Sequence, residues 1–326
     1  MNTTEKNSPE LLFGGDVSDL LETVLSQPVR SLMDRPSKRI RAQLVELGFE
    51  FSGCVPAPEL CHGCEQVVEA VHAGSLAIDD IQDGSLVRRG QPTLHRSLGV
   101  PLAINTGNWL YFRPLEQVRE MGLSADQELR MYRAYHHALL QAHYGQALDV
   151  GVPVDSISQS RVYEVCLSSL ELKSGMLTSL ALVLGAIAGG AEESLVRDLD
   201  RFGCAFGIAL QMFDDLGNLT GKKEPEKKWE DLKLRRPSWF WAWLSRHLTE
   251  GEYRDFVACV QRLPDELRLQ EWMESHPDYL KGAIGDAHKH LDLCLDELGA
   301  QLTSAIELQA FAKLKDLGGR LRVAYQ

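Results

Sequence analysis

Positive charge is scarce in this 326-residue chain: 34 Lys and Arg face 46 Asp and Glu, a net charge of −12. Non-specific nucleic-acid binding and docking on an anionic membrane both need a basic surface, so neither is a main role. A disulfide framework is also missing. Cys54, Cys61, Cys64, Cys166, Cys204, Cys259 and Cys294 make seven, an odd and scattered set, unlike a stapled secreted domain. Cys61-His62-Gly63-Cys64 has the spacing of half a zinc site, but no second half follows it; helix-packed thiols are the better reading. No long apolar run occurs. Met176 to Gly190 is the most apolar stretch, and it is too short and too rich in Gly and Ala to read as a bilayer span. The opening MNTTEKNSPELLFGG lacks the basic and apolar regions of a signal peptide. These absences lead to the expectation of a soluble, cytoplasmic protein with no transmembrane segment. Sustained period-two alternation is missing as well, which argues against a sheet-based fold.

What is present is helical periodicity. Hydrophobic residues make up 44% and charged residues 25%, values of an ordinary globular domain. Apolar positions repeat at the 3.6-residue period in twelve segments: 17–27, 38–51, 58–83, 101–121, 126–150, 158–189, 194–219, 238–248, 251–262, 265–273, 277–298 and 303–317. Breakers separate them, among them Gly90-Gln91-Pro92, Gly151-Val152-Pro153 and Gly189-Gly190. There is no internal repeat and no low-complexity linker. The expectation is one all-α domain over 1–326, a helical bundle around a central cavity, with 1–14 as a disordered tail.

Two acidic clusters sit on apolar helical segments. Asp79-Asp80-Ile81-Gln82-Asp83 ends the 58–83 segment, with Asp79 and Asp83 one turn apart on one face. Asp214-Asp215-Leu216-Gly217-Asn218 lies in the 194–219 segment, with Gln211 one turn ahead of Asp214. Carboxylates so placed repel each other unless a cation offsets them. Their hard oxygens suit Mg²⁺, and an amide at Asn218 can still ligate or hold a water. One such cluster alone is also the mark of a solvated helix end; two, each followed by cations, are harder to dismiss.

The cations form the third set. Lys38, Arg39 and Arg41 open an early helix, Arg88 and Arg89 follow the first cluster, and Lys173 interrupts the apolar 158–189 segment. Gly221–Arg236 holds seven Lys and Arg in sixteen residues and follows the second cluster. Acids followed twice by bases point to a diphosphate held between Mg²⁺ and Arg or Lys.

At these residues the chain resembles the trans-isoprenyl diphosphate synthases, the polyprenyl synthetase family. The stretch His72 to Ser85 with Arg88-Arg89-Gly90 resembles the family's first aspartate-rich region, and Phe206 to Asp215 its second. Ser37 to Arg41 resembles its GKxxR element, with Ser37 where Gly is usual. Asp231 to Arg236 resembles its DLxEGK element, with Arg235 where Gly and Arg236 where Lys are usual. The second cluster ending in Asn218, together with Ile104–Phe112 and His143–Asp149, is similar to geranylgeranyl diphosphate synthases of the eukaryotic type.

The resemblance implies roles. Asp79, Asp80, Asp83 and Asp214 would hold Mg²⁺, supported by Asp215 and Asn218. Arg88, Lys173, Arg236 and a lysine of the 222–228 run, Lys227 or Lys228, would contact an allylic diphosphate. Lys38, Arg41, His72 and Arg89 would hold isopentenyl diphosphate. Gln211, Ser174 and carbonyls near Lys173 would face an allylic cation. Small Gly74 and Ser75 would open the product pocket beyond C15, with Tyr111, Phe112 and His143 as a deeper floor. The implied activity is Mg²⁺-dependent head-to-tail prenyl transfer by a homodimer, giving geranylgeranyl diphosphate (C20). Farnesyl or longer products, a terpene cyclase on the same fold, and a non-catalytic subunit of a heteromeric synthase are the alternatives.

Overall fold

The computed structural model describes residues 15–54, 57–221 and 228–324. The tail expected at 1–14 lies outside the described residues, as does Lys227. Among the described residues sixteen α-helices follow one another: α1 (Gly15–Leu21), α2 (Gln27–Met33), α3 (Ile40–Phe51), α4 (Pro58–Gln82), α5 (Leu94–Leu98), α6 (Val100–Glu120), α7 (Ala125–Gly151), α8 (Gln159–Leu170), α9 (Met176–Ala188), α10 (Glu193–Thr220), α11 (Glu230–Leu234), α12 (Trp239–His247), α13 (Glu250–Val260), α14 (Leu267–Ser275), α15 (Pro277–Gln301) and α16 (Ala305–Ala324). A small antiparallel hairpin, β1 (Val87–Arg88) and β2 (Gln91–Pro92), is the only sheet among the described residues. The fold is all-α, as the periodicity implies.

The apolar segment at 176–188 decides the architecture. Every residue of α9 after Met176 is buried, as expected of a helix that is hydrophobic all round. Helices α3, α4, α7 and α10 pack around it. One hydrophobic cluster runs from Leu44 to Leu321. Together α8, a π-turn and α9 form a continuous helix, Gln159–Ala188, which is long and apolar enough to cross a membrane by length and composition. In this fold 78% of its apolar window is buried inside the protein.

Three local features depart from the sequence reading. The 158–189 helix is interrupted by a π-helical turn, Glu171–Gly175, centred on Lys173. Helix α3 starts at Ile40 rather than Lys38, because Arg39 has a left-handed backbone, φ 48°. The breaker Gly90-Gln91-Pro92 belongs to the hairpin, whose two turn residues, Arg89 (φ 54°) and Gly90 (φ 74°), both have positive φ. A two-residue turn of this kind matches the twist of its strands. The thiols of Cys61 and Cys64 are buried in α4, and burial pushes both up to about 12. They are inert packing groups. Cys61 does lie within 4.8 Å of Glu46 and Glu65, but Arg39 already pairs with Glu65 at 2.6 Å.

Candidate active site

The C-terminal ends of α4, α7 and α10 converge with the π-turn. Each brings acidic or amide side chains to the same end of the bundle. From α4, Asp79 accepts from Lys173 Nζ at 3.1 Å and Gln146 Nε2 at 3.0 Å. From α7, Asp149 accepts from Lys173 Nζ at 2.8 Å. Asp83 pairs with Arg236, which also donates to the Asp149 carbonyl at 3.0 Å. From α10, Asn218 donates to Asp231 at 3.1 Å, and Asp214 lies exposed on the open face.

Lys173 reaches this cluster because of the π-turn. A π-turn inserts one residue and rotates the chain beyond it. It is pressed between α7 and α10 at two glycines. A Cβ on Gly145 would come within 2.6 Å of the Lys173 backbone nitrogen, and one on Gly207 within 2.7 Å of the Ser174 carbonyl. Ser174, in the same turn, donates to Gln211 Oε1 at 2.5 Å. Gln211 and Ser174 are thus brought together beside Lys173.

The electrostatics show which charges are balanced. Burial would raise Asp79, but Lys173 and Arg88 outweigh it and hold its carboxyl below the usual range. Burial opposes charge on Lys173 too, yet Asp79 and Asp149 hold it above its ordinary value. Burial and the Asp79 charge push Asp83 up to about 6. Burial pushes Asp231 up to about 7 despite its hydrogen bond from Asn218, with Asp149, Glu230 and Asp214 adding to the shift. The cluster therefore carries more negative charge than its own cations balance. Hard oxygen donors in that state fit a divalent cation such as Mg²⁺.

Adjacent motif residues point in different directions, since successive helix positions diverge by about 100°. Asp80 is 1% exposed and faces the other side of α4. There it accepts from Arg88 Nε at 2.5 Å, while Arg88 Nη2 reaches Asp79 at 3.4 Å. Asp215 is likewise turned inward. It accepts from Gln211 Nε2 at 2.8 Å and from the Trp239 backbone N–H at 2.7 Å, so it caps the start of α12. Burial raises its carboxyl well above the usual range, and Asp231 adds to this. Asp80, expected to hold Mg²⁺, thus partners a guanidinium here, and Asp215, expected to support the metal, caps a helix.

On the Asp80 side of α4 lies a small cavity lined by His72, Asp80, Arg88 and Arg89. Burial lowers the His72 pKa well below its ordinary value, and Arg41, Arg89 and Arg88 lower it further. His72 is therefore neutral here and can donate only one ring N–H. Lys38 is exposed, next to the lining residue Ser37. Of the residues assigned to isopentenyl diphosphate, His72 and Arg89 line this cavity beside Asp80, Arg41 acts on the His72 charge, and Lys38 is not among the lining residues.

Other sequence assignments fall elsewhere. Lys228 turns away, its ammonium 4.1 Å from the Trp229 ring centroid, so it makes no contact with the aspartate cluster here. Gly74 does not line open space. A Cβ there would meet the Gly107 carbonyl at 2.8 Å and Leu110 Cβ at 2.9 Å, so Gly74 is the close crossing point of α4 and α6. Ser75 is half-buried one turn below Asp79. Tyr111 packs edge-on against His143, ring centroids 5.4 Å apart, but His143 is exposed and Phe112 is 68% exposed on the outer face of α6. Phe112 therefore forms no floor within this chain.

Asp149, Asp231 and Gln146 join the cluster without a role that the sequence motifs predict. A signal was available for one pair: Gln146 and Asp149 are three apart on a helix, hence on one face. For Asp231 no local pattern gave its direction.

Residues 22–272 match the polyprenyl synthetase family model. A geranylgeranyl pyrophosphate synthase of Zymoseptoria tritici is 31% identical over 79% of this chain and 70% of its own length. Matches to four further geranylgeranyl pyrophosphate synthases span only 54% to 66% of their lengths. Among solved structures, geranylgeranyl pyrophosphate synthase from Corynebacterium glutamicum, complexed with isoprenyl diphosphate and magnesium, superposes with a TM-score of 0.78 at 21% identity, covering 98% of this chain and 95% of that one. The enzyme from Pyrococcus horikoshii gives 0.76 at 22% identity, covering 94% and 92%. These likenesses agree with the helical order, the paired acidic clusters and their flanking cations: the chain belongs to the polyprenyl synthetase family.

Proposed function

We propose that the chain is a Mg²⁺-dependent prenyltransferase that condenses isopentenyl diphosphate with an allylic diphosphate, with geranylgeranyl diphosphate as product. The carrying observation is the division of charge by the end of α4. Asp79 and Asp83 face an acidic cluster with Lys173 and Arg236, while Asp80 and His72 face a basic cavity with Arg88 and Arg89. Two diphosphates can thus be held on two sides of one helix.

Asp79, Asp83, Asp149, Asp214 and Asp231 are the residues that would hold Mg²⁺. Bound there, it would supply Lewis-acid stabilisation of the leaving diphosphate. Lys173, Arg88 and Arg236 are free to bind phosphate oxygens only when they release their carboxylates. Ser174 and Gln211 place an oxygen dipole beside Lys173, where an allylic cation needs polar groups and no water. No side chain acts as nucleophile; the double bond of isopentenyl diphosphate attacks. Holding both substrates in register contributes a large share of the rate.

The exposed apolar faces of the neighbouring helices α6 (Val100, Ile104, Phe112) and α7 (Leu129, Leu140, Tyr144) are assigned to a homodimer contact. A cytoplasmic location belongs to the same reading. The test is product analysis of the purified chain with isopentenyl diphosphate, Mg²⁺ and each allylic primer. A C20 product supports the proposal; absence of condensation overturns it. A hydrocarbon from geranylgeranyl diphosphate alone would show a cyclase instead.

A further inference from the structure

Arg35 lies in the loop between α2 and α3, ahead of the basic element Lys38–Arg41, and lines the cavity behind α4. Its Nη2 donates to the Pro92 carbonyl at 2.8 Å. That bond ties the loop to the hairpin carrying Arg88 and Arg89. Its Nε and Nη1 are buried and have no hydrogen-bond partner in the protein. Buried donors without acceptors are costly, more so on a charged group. Burial lowers the guanidinium's pKa, Asp80 raises it, and the Arg88 and Arg89 charges lower it again.

Three guanidiniums around one small cavity therefore repel one another, with Asp80 as a partial counterweight. Folding gains nothing from that crowding. A polyanion in the cavity offsets the repulsion of the three cations and gives the Arg35 guanidinium an acceptor to turn its unpartnered N–H groups towards. We propose that Arg35 is a further binding residue for the diphosphate of isopentenyl diphosphate, acting with Arg41, His72 and Arg89. The inference rests on the function proposed above for this side of α4. It also makes Arg35 selective, because α4 separates it from the aspartate cluster where the allylic diphosphate would sit.

The test uses the full chain with Mg²⁺ and no allylic primer. Isopentenyl diphosphate binding is measured by calorimetry for the wild type, Arg35→Gln and Arg35→Lys, and steady-state KM is measured for both substrates. Arg35→Gln is expected to weaken isopentenyl diphosphate binding and raise its KM by about tenfold or more. The KM for the allylic substrate should stay within about twofold, and Arg35→Lys should recover part of the loss because it keeps the charge. Equal affinity in wild type and Arg35→Gln overturns the assignment. So does a matched rise in both KM values with a lowered melting temperature, which marks the Pro92 tether as a purely structural role. A wild-type chain that binds no isopentenyl diphosphate overturns the reading of the cavity itself, and this inference with it.

Discussion

Arg236 pairs with Asp83 across 153 positions of sequence and closes the aspartate cluster with a cation from the far side of the second motif. Lys173 does the same for Asp79 and Asp149. Within these pairs carboxylate and cation already satisfy each other, although the cluster as a whole stays acidic, so an incoming metal and an incoming diphosphate each break them. Either ligand alone meets a competitor; together they exchange partners. Mg²⁺ or inorganic diphosphate alone should therefore raise the melting temperature little, and the two together much more than the sum. Thermal shift over a matrix of both ligands measures this, and simple additivity would contradict it.

The metal should bind with a distinct pH dependence. Asp83 is pushed up to about 6 and Asp231 up to about 7, in both cases chiefly by burial. The folded chain holds these protons more tightly than the unfolded chain, whose Asp titrates near 4. Their contribution to stability is thus present below about pH 4 and is lost as pH rises through 6 to 7. Mg²⁺ competes with the same protons, so its affinity should climb between about pH 5.5 and 7.5 and level off above. Calorimetric Mg²⁺ titrations at three pH values check the slope; a flat profile would count against it.

The two neighbouring aspartates of the second motif should separate function from stability. Asp214 is exposed on the open face, whereas Asp215 is buried and caps α12 through the Trp239 N–H. Asp214→Ala should lower kcat on the order of a hundredfold with the melting temperature unchanged. Asp215→Ala should cost about 1–3 kcal/mol of stability by stranding a buried donor. Denaturant midpoints and turnover, measured on both variants, distinguish the two.

Product length should respond at Ser75 rather than Gly74. Gly74→Phe drives a side chain into the α6 backbone, which costs about 1–3 kcal/mol or more through overpacking. Ser75→Phe, half-buried below Asp79, should shorten the product with a smaller loss of stability. Chromatography of the products reads this directly, and an unchanged product length from Ser75→Phe would be the contrary result.

Arg235 occupies a left-handed position, φ 57°, at the end of α11. Such a backbone costs a residue with a Cβ about 1–2 kcal/mol. Its ion pair with Asp155 at 3.2 Å is partly exposed and offsets little of that. Arg235→Gly should stabilise the chain by up to about 1 kcal/mol, seen as a higher denaturant midpoint with no loss of activity.

The sequence by itself determined the helices, the two acidic clusters and the order of cations around them. Those features are local: an apolar stripe repeats every 3.6 residues, and Asp79 and Asp83 share a face whatever lies opposite. It did not determine which member of each Asp-Asp pair serves the site, because that depends on the rotation of α4 and α10 against their neighbours. Asp80 and Asp215 were lost to the interior for this reason, and Phe112 to the outer face of α6. Asp149 and Asp231 became part of the site only when α7 and the segment after α10 folded over α4. The π-turn that delivers Lys173 depends on two glycines, Gly145 and Gly207, in other helices. Spacing along the chain sets which side chains share a face; only the packing of helices far apart in sequence sets what that face meets.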